Sequence, residues 1–307
     1  MPGMIEIPAG TSRLGSDAHY GEEGPVHSVF VDAFCIDVHP VTNEEFTEFV
    51  GATGYSTIAE RPLDPADFPL APVGNLVPGS MVFVPTDGPV DLRHLSQWWA
   101  WTPGASWRCP EGPDSSVADR SDHPVVHVAH EDAQAYASWA RKQLPTEAQW
   151  EVAARGGLDG MAYTWGDVQD SIVEPMANYY RGDFPWRPLP GWGSTTPVGS
   201  FPSNGYGCFD LAGNVWEWTD DWYSSQRHEE VAAACCVPRN PRGAPISESY
   251  DSVQSQFAVP RKVVKGGSFL CADSYCRRYR PAARRPQAID TGMSHIGFRC
   301  VSPVAAG

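Results

Sequence analysis

Two cysteines, Cys271 and Cys276, are the residues whose type and spacing point most directly to chemistry. They lie five positions apart and follow the glycine pair in KGGSFLCADSYC. Thiolates are soft ligands that select Cu(I), zinc or iron–sulfur clusters. A structural zinc site needs more ligands than this pair supplies, whereas Cu(I) is satisfied by two thiolates. The spacing therefore favours copper over zinc.

The segment that follows this pair is rich in arginine, and neighbouring positive charge lowers the pKa of a thiol. Two buried or disulfide-paired cysteines with a structural role are the alternative, and a C-x4-C spacing does not decide between them. The adjacent Cys235 and Cys236 add ligands only if the fold brings them close. The arginines are Arg277, Arg278, Arg280, Arg284 and Arg285.

A second cluster lies in FDLAGNVWEWTDDW, residues 209–222, where acidic and amide side chains surround a glycine. Calcium takes about six to eight oxygen ligands, including backbone carbonyls. The D-x-D-x-D-G spacing of an EF-hand is absent here, so a calcium site would be of another type. An aromatic-rich turn with solvated acids is the alternative. The oxygen-bearing residues are Asp210, Asn214, Glu217, Asp220 and Asp221.

Three histidines, His123, His127 and His130, follow one another in HPVVHVAH. On a helix, His123 and His127 would share a face suited to a metal. Pro124 and the β-branched valines of this run favour a strand instead. On a strand His123 and His127 point to one face and His130 to the other, so we predict structural histidines.

The charge balance argues against two classes of partner. The 307 residues include 22 Lys and Arg against 37 Asp and Glu, a formal net charge of −15. Nucleic acids and anionic membrane surfaces bind basic patches, so neither is expected to bind. The N-terminal MPGMIEIPAG resembles no secretory signal, and no apolar run reaches the ~20 residues of a membrane span. We therefore expect a cytoplasmic protein whose eight cysteines are reduced, catalytic or metal-binding.

Capping signals and apolar periodicity predict three helices. Two of them begin with an S/T-x-x-E/Q capping box, in which two side chains satisfy backbone N–H groups of the first turn. A glycine after each of these marks its end. The predicted helices cover 146–155 (capped by Thr146 and Gln149 and ended by Gly156), the run from Thr42 with Glu45 to Gly51, and 131–142.

Short apolar or alternating runs predict strands at 29–36, 263–265 and 296–301. The intervening stretches are rich in Pro, Asp, Ser and Gly, and 226–258 is expected to be the most mobile of them. These patterns predict one α+β domain over residues 1–307, with short elements and long structured loops.

Several motifs together resemble one family. QLPTEAQWEVAARGG, GNVWEW, KGGSFLC-x4-C-RRYR-x-AAR and GFRC are similar, in order and spacing, to the formylglycine-generating enzymes of the sulfatase-modifying factor family. The N-terminal IPAGTSRLGS and HPVTNEEFTEFVGATGY match as well, so the likeness covers about residues 4–302. Cys271 and Cys276 are the discriminating feature, because single motifs such as GNVWEW also occur in paralogues.

The resemblance implies a C-type-lectin-like fold with little regular secondary structure, and a copper-dependent oxidase. Such an enzyme uses O2 to convert a cysteine in a C-x-P-x-R motif to Cα-formylglycine, on an unfolded or extended sulfatase polypeptide. By position, Cys271 and Cys276 hold Cu(I), and the substrate thiolate joins them as a further ligand. Ser268, Trp216 and Tyr275 then line the pocket for substrate and oxygen.

The resemblance also implies structural calcium at two sites. Each combines side-chain oxygens with backbone carbonyls. The first set is Asp210, the carbonyls of Gly213 and Val215, and Glu217; the second is Asn178, the carbonyls of Tyr179 and Trp192, and a downstream Asp.

This sequence departs from the family pattern at three places. Residues 186–193, WRPLPGWG, contain no acid for the second calcium set. His295 stands where the family often has Asn, and Ala272 where it often has His. We expect the last two changes to shift substrate preference or reactivity toward oxygen.

Two other functions are the alternatives. An iron-dependent enzyme like the sulfoxide synthases draws its ligands from an additional helical domain, for which this chain has no room. A non-catalytic lectin-like binding module lacks the cysteine pair, which this chain keeps. The sequence therefore favours the oxidase.

Overall fold

The computed structural model describes residues 3–65, 76–225, 237–251 and 259–304. Most of the segment predicted to be mobile, 226–258, lies outside these ranges, as do Cys235 and Cys236. Within the described ranges, the helices are too short or too polar to cross a membrane.

The described part of the chain contains the α-helices α1 (Asn43–Thr53), α2 (His130–Trp139) and α3 (Glu147–Arg155). All three occur where the sequence predicts helices. In α1 the Thr42 hydroxyl accepts from the Glu45 N–H, and the Glu45 carboxylate accepts from the Thr42 N–H. The predicted end at Gly51 is wrong: the helix passes through this exposed glycine and stops at Gly54, which adopts the left-handed φ of 67°.

The strands of the described residues are β1 (Met4–Ile7), β2 (Gly10–Leu14), β3 (His27–Val31), β4 (Phe34–Asp37), β5 (Gly79–Phe83), β6 (Trp99–Pro103), β7 (Gly182–Asp183), β8 (Arg187–Pro188), β9 (Trp216–Trp222), β10 (Arg261–Lys265), β11 (Arg284–Ala288), β12 (Ile296–Gly297) and β13 (Val301–Pro303). A four-stranded sheet has the order β11-β10-β9-β12, with β12 parallel to β9. A second sheet has the order β1-β4-β13, and β2-β3, β5-β6 and β7-β8 form antiparallel pairs.

Two predicted strands are each divided in the structure. The run 29–36 contributes to β3 and β4, which belong to different sheets and are separated at Asp32 and Ala33. The Asp32 N–H donates to the Asn240 side chain, so the chain turns toward another segment instead of continuing its ladder. The run 296–301 likewise divides into β12 and β13. Short strands, few helices and long connections confirm the α+β prediction with little regular secondary structure.

The strand predicted for the histidine segment is wrong. His127 adopts a left-handed φ of 59°, which breaks an extended ladder, and His130 is the first residue of α2. His127 is fully buried, and its two ring nitrogens lie 2.8 Å from the Ser80 hydroxyl and 2.8 Å from the Pro110 carbonyl. Burial lowers the pKa of His127 to about 4, so the ring is neutral and has a structural role.

A buried ion pair joins three distant parts of the chain. Glu217 on β9 receives two hydrogen bonds of 2.7 Å from the Arg299 guanidinium, one on each carboxylate oxygen. The Trp150 indole of α3 donates to the same carboxylate at 2.7 Å. Arg299 also donates to the Phe209 carbonyl at 2.8 Å, and Glu217 and Arg299 are both fully buried. The solvated-acid alternative is therefore wrong for Glu217.

Removing one partner of this pair is expected to be severely destabilising. Glu217→Ala leaves Arg299 as a buried charge without its counter-ion, which costs about 3–5 kcal/mol. The measurement is chemical denaturation followed by tryptophan fluorescence. Asp183→Ala is the matched control, because it removes an exposed ion pair with Arg187 and should cost less than ~1 kcal/mol. Equal losses in the two variants would contradict this account of the core.

Candidate active site

The cysteine segment begins where β10 ends, at Gly266 and Gly267. Their φ angles are 90° and 72°, in the left-handed region that favours glycine. A Cβ atom on Gly267 would lie 2.8 Å from the backbone nitrogen of Tyr279. Because Gly267 has no side chain, the chain can pass close to the backbone of Tyr279 at this point. It then enters the loop that carries both thiols.

Backbone hydrogen bonds set the positions of the two thiols. The Cys271 N–H donates to the Ser268 carbonyl at 2.9 Å, and the Cys276 N–H donates to the Ala272 carbonyl at 2.7 Å. The Cys271 carbonyl in turn accepts from the Tyr180 N–H at 2.7 Å. The two sulfur atoms come within 3.4 Å of each other, and both cysteines are free rather than disulfide-paired.

The two thiols differ in acidity. The hydrogen bond from Cys271, supported by the positive charge of Arg278, lowers the pKa of Cys276 to about 6 although burial opposes this shift. The Arg278 guanidinium nitrogen Nη1 lies 3.9 Å from the Cys276 sulfur. Burial raises the pKa of Cys271, and its hydrogen bond to Cys276 raises it further. At neutral pH, Cys276 is therefore a thiolate that accepts a hydrogen bond from the Cys271 thiol.

Both thiols line a small cavity of about 30 Å³. Ser268, Trp216 and Tyr275, which the family resemblance places in the pocket, line the same cavity. The volume holds about one water-sized group, so the cavity admits one small side chain at a time. Its other lining residues are Leu95, Trp98, Trp99, Phe184, Leu270, Arg285 and His295.

The aromatic wall of this cavity was missed by the sequence reasoning. Tyr275 stacks on Phe184, with ring centroids 4.6 Å apart and an angle of 7° between the planes. Trp98 packs edge-on against Tyr275 at 5.7 Å, and Trp99 contacts His295 at 4.7 Å. The three rings that were missed, Trp98, Trp99 and Phe184, come from segments far from the cysteines in the chain. The tryptophan-rich composition around Trp98 was the one available signal, and it carries no information on position.

Comparison with known proteins decides the family. A family model for the sulfatase-modifying factor enzyme 1-like domain matches residues 1–304. The chain is 51% identical over 307 residues to the formylglycine-generating enzyme of Mycobacterium tuberculosis, covering 99% of each protein. The chain belongs to the formylglycine-generating enzyme family. It is also 43% identical to the formylglycine-generating enzyme of Thermomonospora curvata, covering 98% of this chain and 93% of the relative.

A solved structure gives independent support for the fold of this family member. The structure of PvdO from Pseudomonas aeruginosa matches with a TM-score of 0.61 and covers 98% of this chain and 94% of that chain. Its sequence is 23% identical, so this likeness concerns the fold alone. The fold predicted from the family resemblance is confirmed.

Two of the three departures from the family pattern, His295 and Ala272, lie at or next to the cavity. His295 lies in the cavity, is 2% exposed, and its Nδ1 atom is buried without a hydrogen-bond partner in the described residues. Burial, with the charge of Arg285, holds the pKa of His295 well below its usual range, so the ring is neutral. Ala272 is 2% exposed and packs in an apolar cluster with Leu270. At this position the chain therefore has an apolar methyl group in place of the polar ring of the family's His.

The arginine-rich segment is largely neutralised by acids from other parts of the chain. Arg278 is ion-paired with Glu22 at 2.7 Å, although it also lies close to the Cys276 sulfur. Two further arginines of the segment are buried in ion pairs. The electropositive environment predicted for the cysteines therefore comes from fewer arginines than the sequence contains. The two buried pairs are Arg280 with Glu23 and Arg284 with Glu147.

Asp210, Gly213 and Val215 of the first predicted calcium set lie at the turn that precedes β9, and Glu217 is the second residue of that strand. Asp210 has a left-handed φ of 56°, and its carboxylate accepts from the Gly199 N–H at 2.8 Å. Glu217 is engaged by Arg299, as described above. In the described residues, no three His, Cys, Asp or Glu side chains form a metal-binding group. The predicted set contains two carboxylates and two carbonyls, and it stays a prediction.

The second predicted calcium set lies beside a positive charge of the chain itself. Asn178 Oδ1 is buried without a hydrogen-bond partner among the described residues, which suits a cation. The Arg181 guanidinium, ion-paired with Asp170 at 2.7 Å, lies 3.8 Å from the Tyr179 ring centroid and 5.4 Å from that of Trp192. The chain's own cation therefore packs on the rings of two residues whose backbone carbonyls belong to the predicted set, and this set also stays a prediction.

The difference in thiol acidity predicts selective alkylation. In the metal-free protein, Cys276 should react with iodoacetamide before Cys271, with a rate that is half-maximal near pH 6 because the thiolate is the nucleophile. The rate should rise with pH through this value and then level off. Peptide mapping by mass spectrometry identifies the modified residue, and Cys276→Ser is the control. A half-maximal rate near the ordinary thiol pKa of ~8.5 would contradict this assignment.

Proposed function

We propose that this chain is an oxidase that converts a cysteine of a sulfatase polypeptide to Cα-formylglycine, with O2 as electron acceptor and Cu(I) as cofactor. The observation that carries the proposal is the pair of free thiols, 3.4 Å apart, in an aromatic-walled cavity of a chain that belongs to the formylglycine-generating enzymes. The activity named for the relatives supports the reaction, and the donor atoms support the metal.

The residues present fit Cu(I). Cys271 and Cys276 offer two soft sulfur donors side by side, one of them already a thiolate at neutral pH. A copper ion held there would supply one-electron chemistry with O2 and a position for a third sulfur ligand. The deep burial of Cys271 and the aromatic rings around the pair keep bulk water away from these donors.

The chain's own residues position the substrate cysteine. The small cavity admits a cysteine side chain next to the two thiols, and Trp216 and Tyr275 are among the residues that line it. The Ser268 hydroxyl accepts from the Leu270 N–H at 3.2 Å, and a hydroxyl in this role can donate its own hydrogen to a group in the cavity. Removing two electrons and two protons from the substrate Cβ–S unit gives a thioaldehyde. Its hydrolysis releases hydrogen sulfide and leaves the aldehyde.

We propose that the substrate is an unfolded or extended polypeptide carrying C-x-P-x-R. A cavity of about 30 Å³ accepts a side chain presented on a free strand of peptide, not one enclosed in another folded protein. The net charge of −15 favours association with a peptide that carries arginine. Backbone hydrogen bonds along a surface groove would hold such a peptide.

A non-catalytic binding module is the other function weighed, and the site does not favour it. Such a module needs no thiolate, whereas Cys276 is held as one beside Cys271. An additional helical domain of the kind that supplies ligands to iron-dependent sulfoxide synthases is not formed by the described residues.

We also propose one structural calcium ion at Asp210, Glu217 and the carbonyls of Gly213 and Val215. The tight turn supports it, because Asp210 and Asn214 both adopt left-handed φ angles, 56° and 58°, at either end of it. A carboxylate has about four acceptor positions, so Glu217 retains one beyond those used by Arg299 and Trp150.

Each cysteine is expected to be indispensable for turnover. Cys271→Ser and Cys276→Ser should each abolish conversion of a C-x-P-x-R peptide, because one sulfur donor alone does not hold Cu(I) against competing thiols. Mass spectrometry of the peptide after incubation with protein, Cu(I) and O2 gives the readout. Cys35→Ser is the matched control, since it removes a partly buried free thiol on β4, and it should retain activity. Near wild-type turnover in either cavity variant would rule out the assignment.

Calcium removal is expected to lower the melting temperature. An ion that binds only the folded state stabilises it by about 2.7 kcal/mol when its concentration is 100 times its Kd. Differential scanning calorimetry with and without a chelator measures the change, and Asp210→Asn should remove the response. This variant tests the site better than Glu217→Ala, because the latter also removes the counter-ion of the buried Arg299. An unchanged wild-type melting curve would mean that the set binds no calcium.

A further inference from the structure

Arg285 differs from the arginine beside it on the same strand. Consecutive residues of a strand point to opposite faces. Arg284 is buried, where its guanidinium donates to the Glu147 carboxylate at 2.8 Å and to the Ser224 carbonyl at 2.8 Å. Arg285, paired in register with Val264, lines the cavity of the two cysteines instead. It is half-buried, and its guanidinium has neither a hydrogen bond nor an ion pair with any residue in the described part of the chain.

Among the described residues, the cavity contains no carboxylate to pair with this charge, and its one anion is the Cys276 thiolate, which already accepts the hydrogen bond of Cys271. Within the described ranges, none of the residues that line it is Asp or Glu, although the chain has 37 of them. His295 is neutral there, so Arg285 supplies the one cationic side chain of the lining. Partial burial of a guanidinium beside aromatic rings costs free energy unless an anion forms an ion pair with it.

The other arginines near the cysteines show that this chain normally supplies such a partner. Arg278 is paired with Glu22 at 2.7 Å, and Arg280 is paired with Glu23 through a hydrogen bond of 2.7 Å. The side chain of Arg277 also lacks a partner in the described residues, but it is exposed and does not line the cavity. Arg285 therefore differs in lacking a partner where it is half-buried and faces the site.

We propose that Arg285 is a specificity residue that binds a carboxylate of the substrate polypeptide, namely an Asp or Glu side chain close to the target cysteine. The proposal rests on the function proposed above, because it requires that the substrate cysteine enter this cavity. The cavity holds that one side chain, so the acid would meet the half-buried Arg285 from its solvent-exposed side. The planar guanidinium presents a fork of donors that matches the two oxygens of a carboxylate. An extended peptide advances ~3.3 Å per residue, so the acid should lie within about three residues of the cysteine.

A binding assay tests this without requiring turnover. The probes are fluorescent C-x-P-x-R peptides whose target cysteine is replaced by serine, each with a single Asp or the isosteric Asn at one flanking position. Their affinities for the full chain, with and without Cu(I), are measured by fluorescence anisotropy. The protein variants are Arg285→Gln, Arg285→Lys and, as the matched control, Arg277→Gln. Arg277 is exposed and does not line the cavity, so its replacement removes the same charge outside the site.

In the wild-type protein, Asp should bind about fivefold more tightly than Asn at one flanking position, the factor that corresponds to about 1 kcal/mol. Arg285→Gln should reduce this ratio to near one, Arg285→Lys should keep part of it, and Arg277→Gln should keep all of it. The preference should also weaken with added salt. The proposal is overturned if no flanking position prefers Asp, if the preference survives in Arg285→Gln, or if Arg277→Gln removes it equally.

The binding assay tests the role of Arg285 independently of the proposed oxidase activity. If cysteine-containing peptides are converted but show no preference for Asp, the role of Arg285 alone is wrong. If the preference is present but no peptide is converted, the cavity binds its peptide as inferred and the oxidase assignment is wrong.

Discussion

The buried contact between Glu217 and Arg299 is the interaction on which the rest of this fold depends. It connects β9 to the segment that precedes β13, and the Trp150 indole adds α3 to the same carboxylate. Strands this short bury little apolar surface individually. A fully satisfied charge pair at their junction therefore fixes their relative positions, because any other arrangement leaves a charge buried alone.

A second buried charge continues this arrangement toward the active site. Lys265, the last residue of β10, is fully buried and lies 3.1 Å from the Glu151 carboxylate of α3. Gly266 and Gly267 follow at once. The cysteine loop thus starts from an anchored strand end, and its own backbone hydrogen bonds hold the two sulfur atoms in place. This rigidity suits a site that must hold one metal ion between two donors.

The cavity combines features that oppose each other in isolation. Burial raises the pKa of Cys271, while the hydrogen bond it donates lowers that of Cys276. One site therefore holds a thiol and a thiolate in contact, in surroundings that are mainly aromatic. Arg285 adds a positive charge with no hydrogen bond or ion pair among the described residues, so the cavity carries one charge of each sign within a chain of net charge −15.

The sequence by itself determined the features that depend on near neighbours in the chain. The capping boxes of α1 and α3, the Gly266–Gly267 turn and the spacing of Cys271 and Cys276 all follow from interactions over a few residues. The family motifs located the site for the same reason, because each is a short contiguous segment. Local patterns failed where the chain changes sheet, at Asp32, and where His127 takes a left-handed conformation.

Only the tertiary structure decided the acidity of the two thiols, the aromatic wall and the ion pairs of the arginines. Trp98 and Phe184 reach Tyr275 from distant segments, and Glu22 reaches Arg278 from the other end of the chain. A pKa depends on burial and on charges close in space, whatever their separation in sequence. For that reason the sequence identified which residues could react, whereas the folded chain determined their protonation and which charges remain available to a substrate.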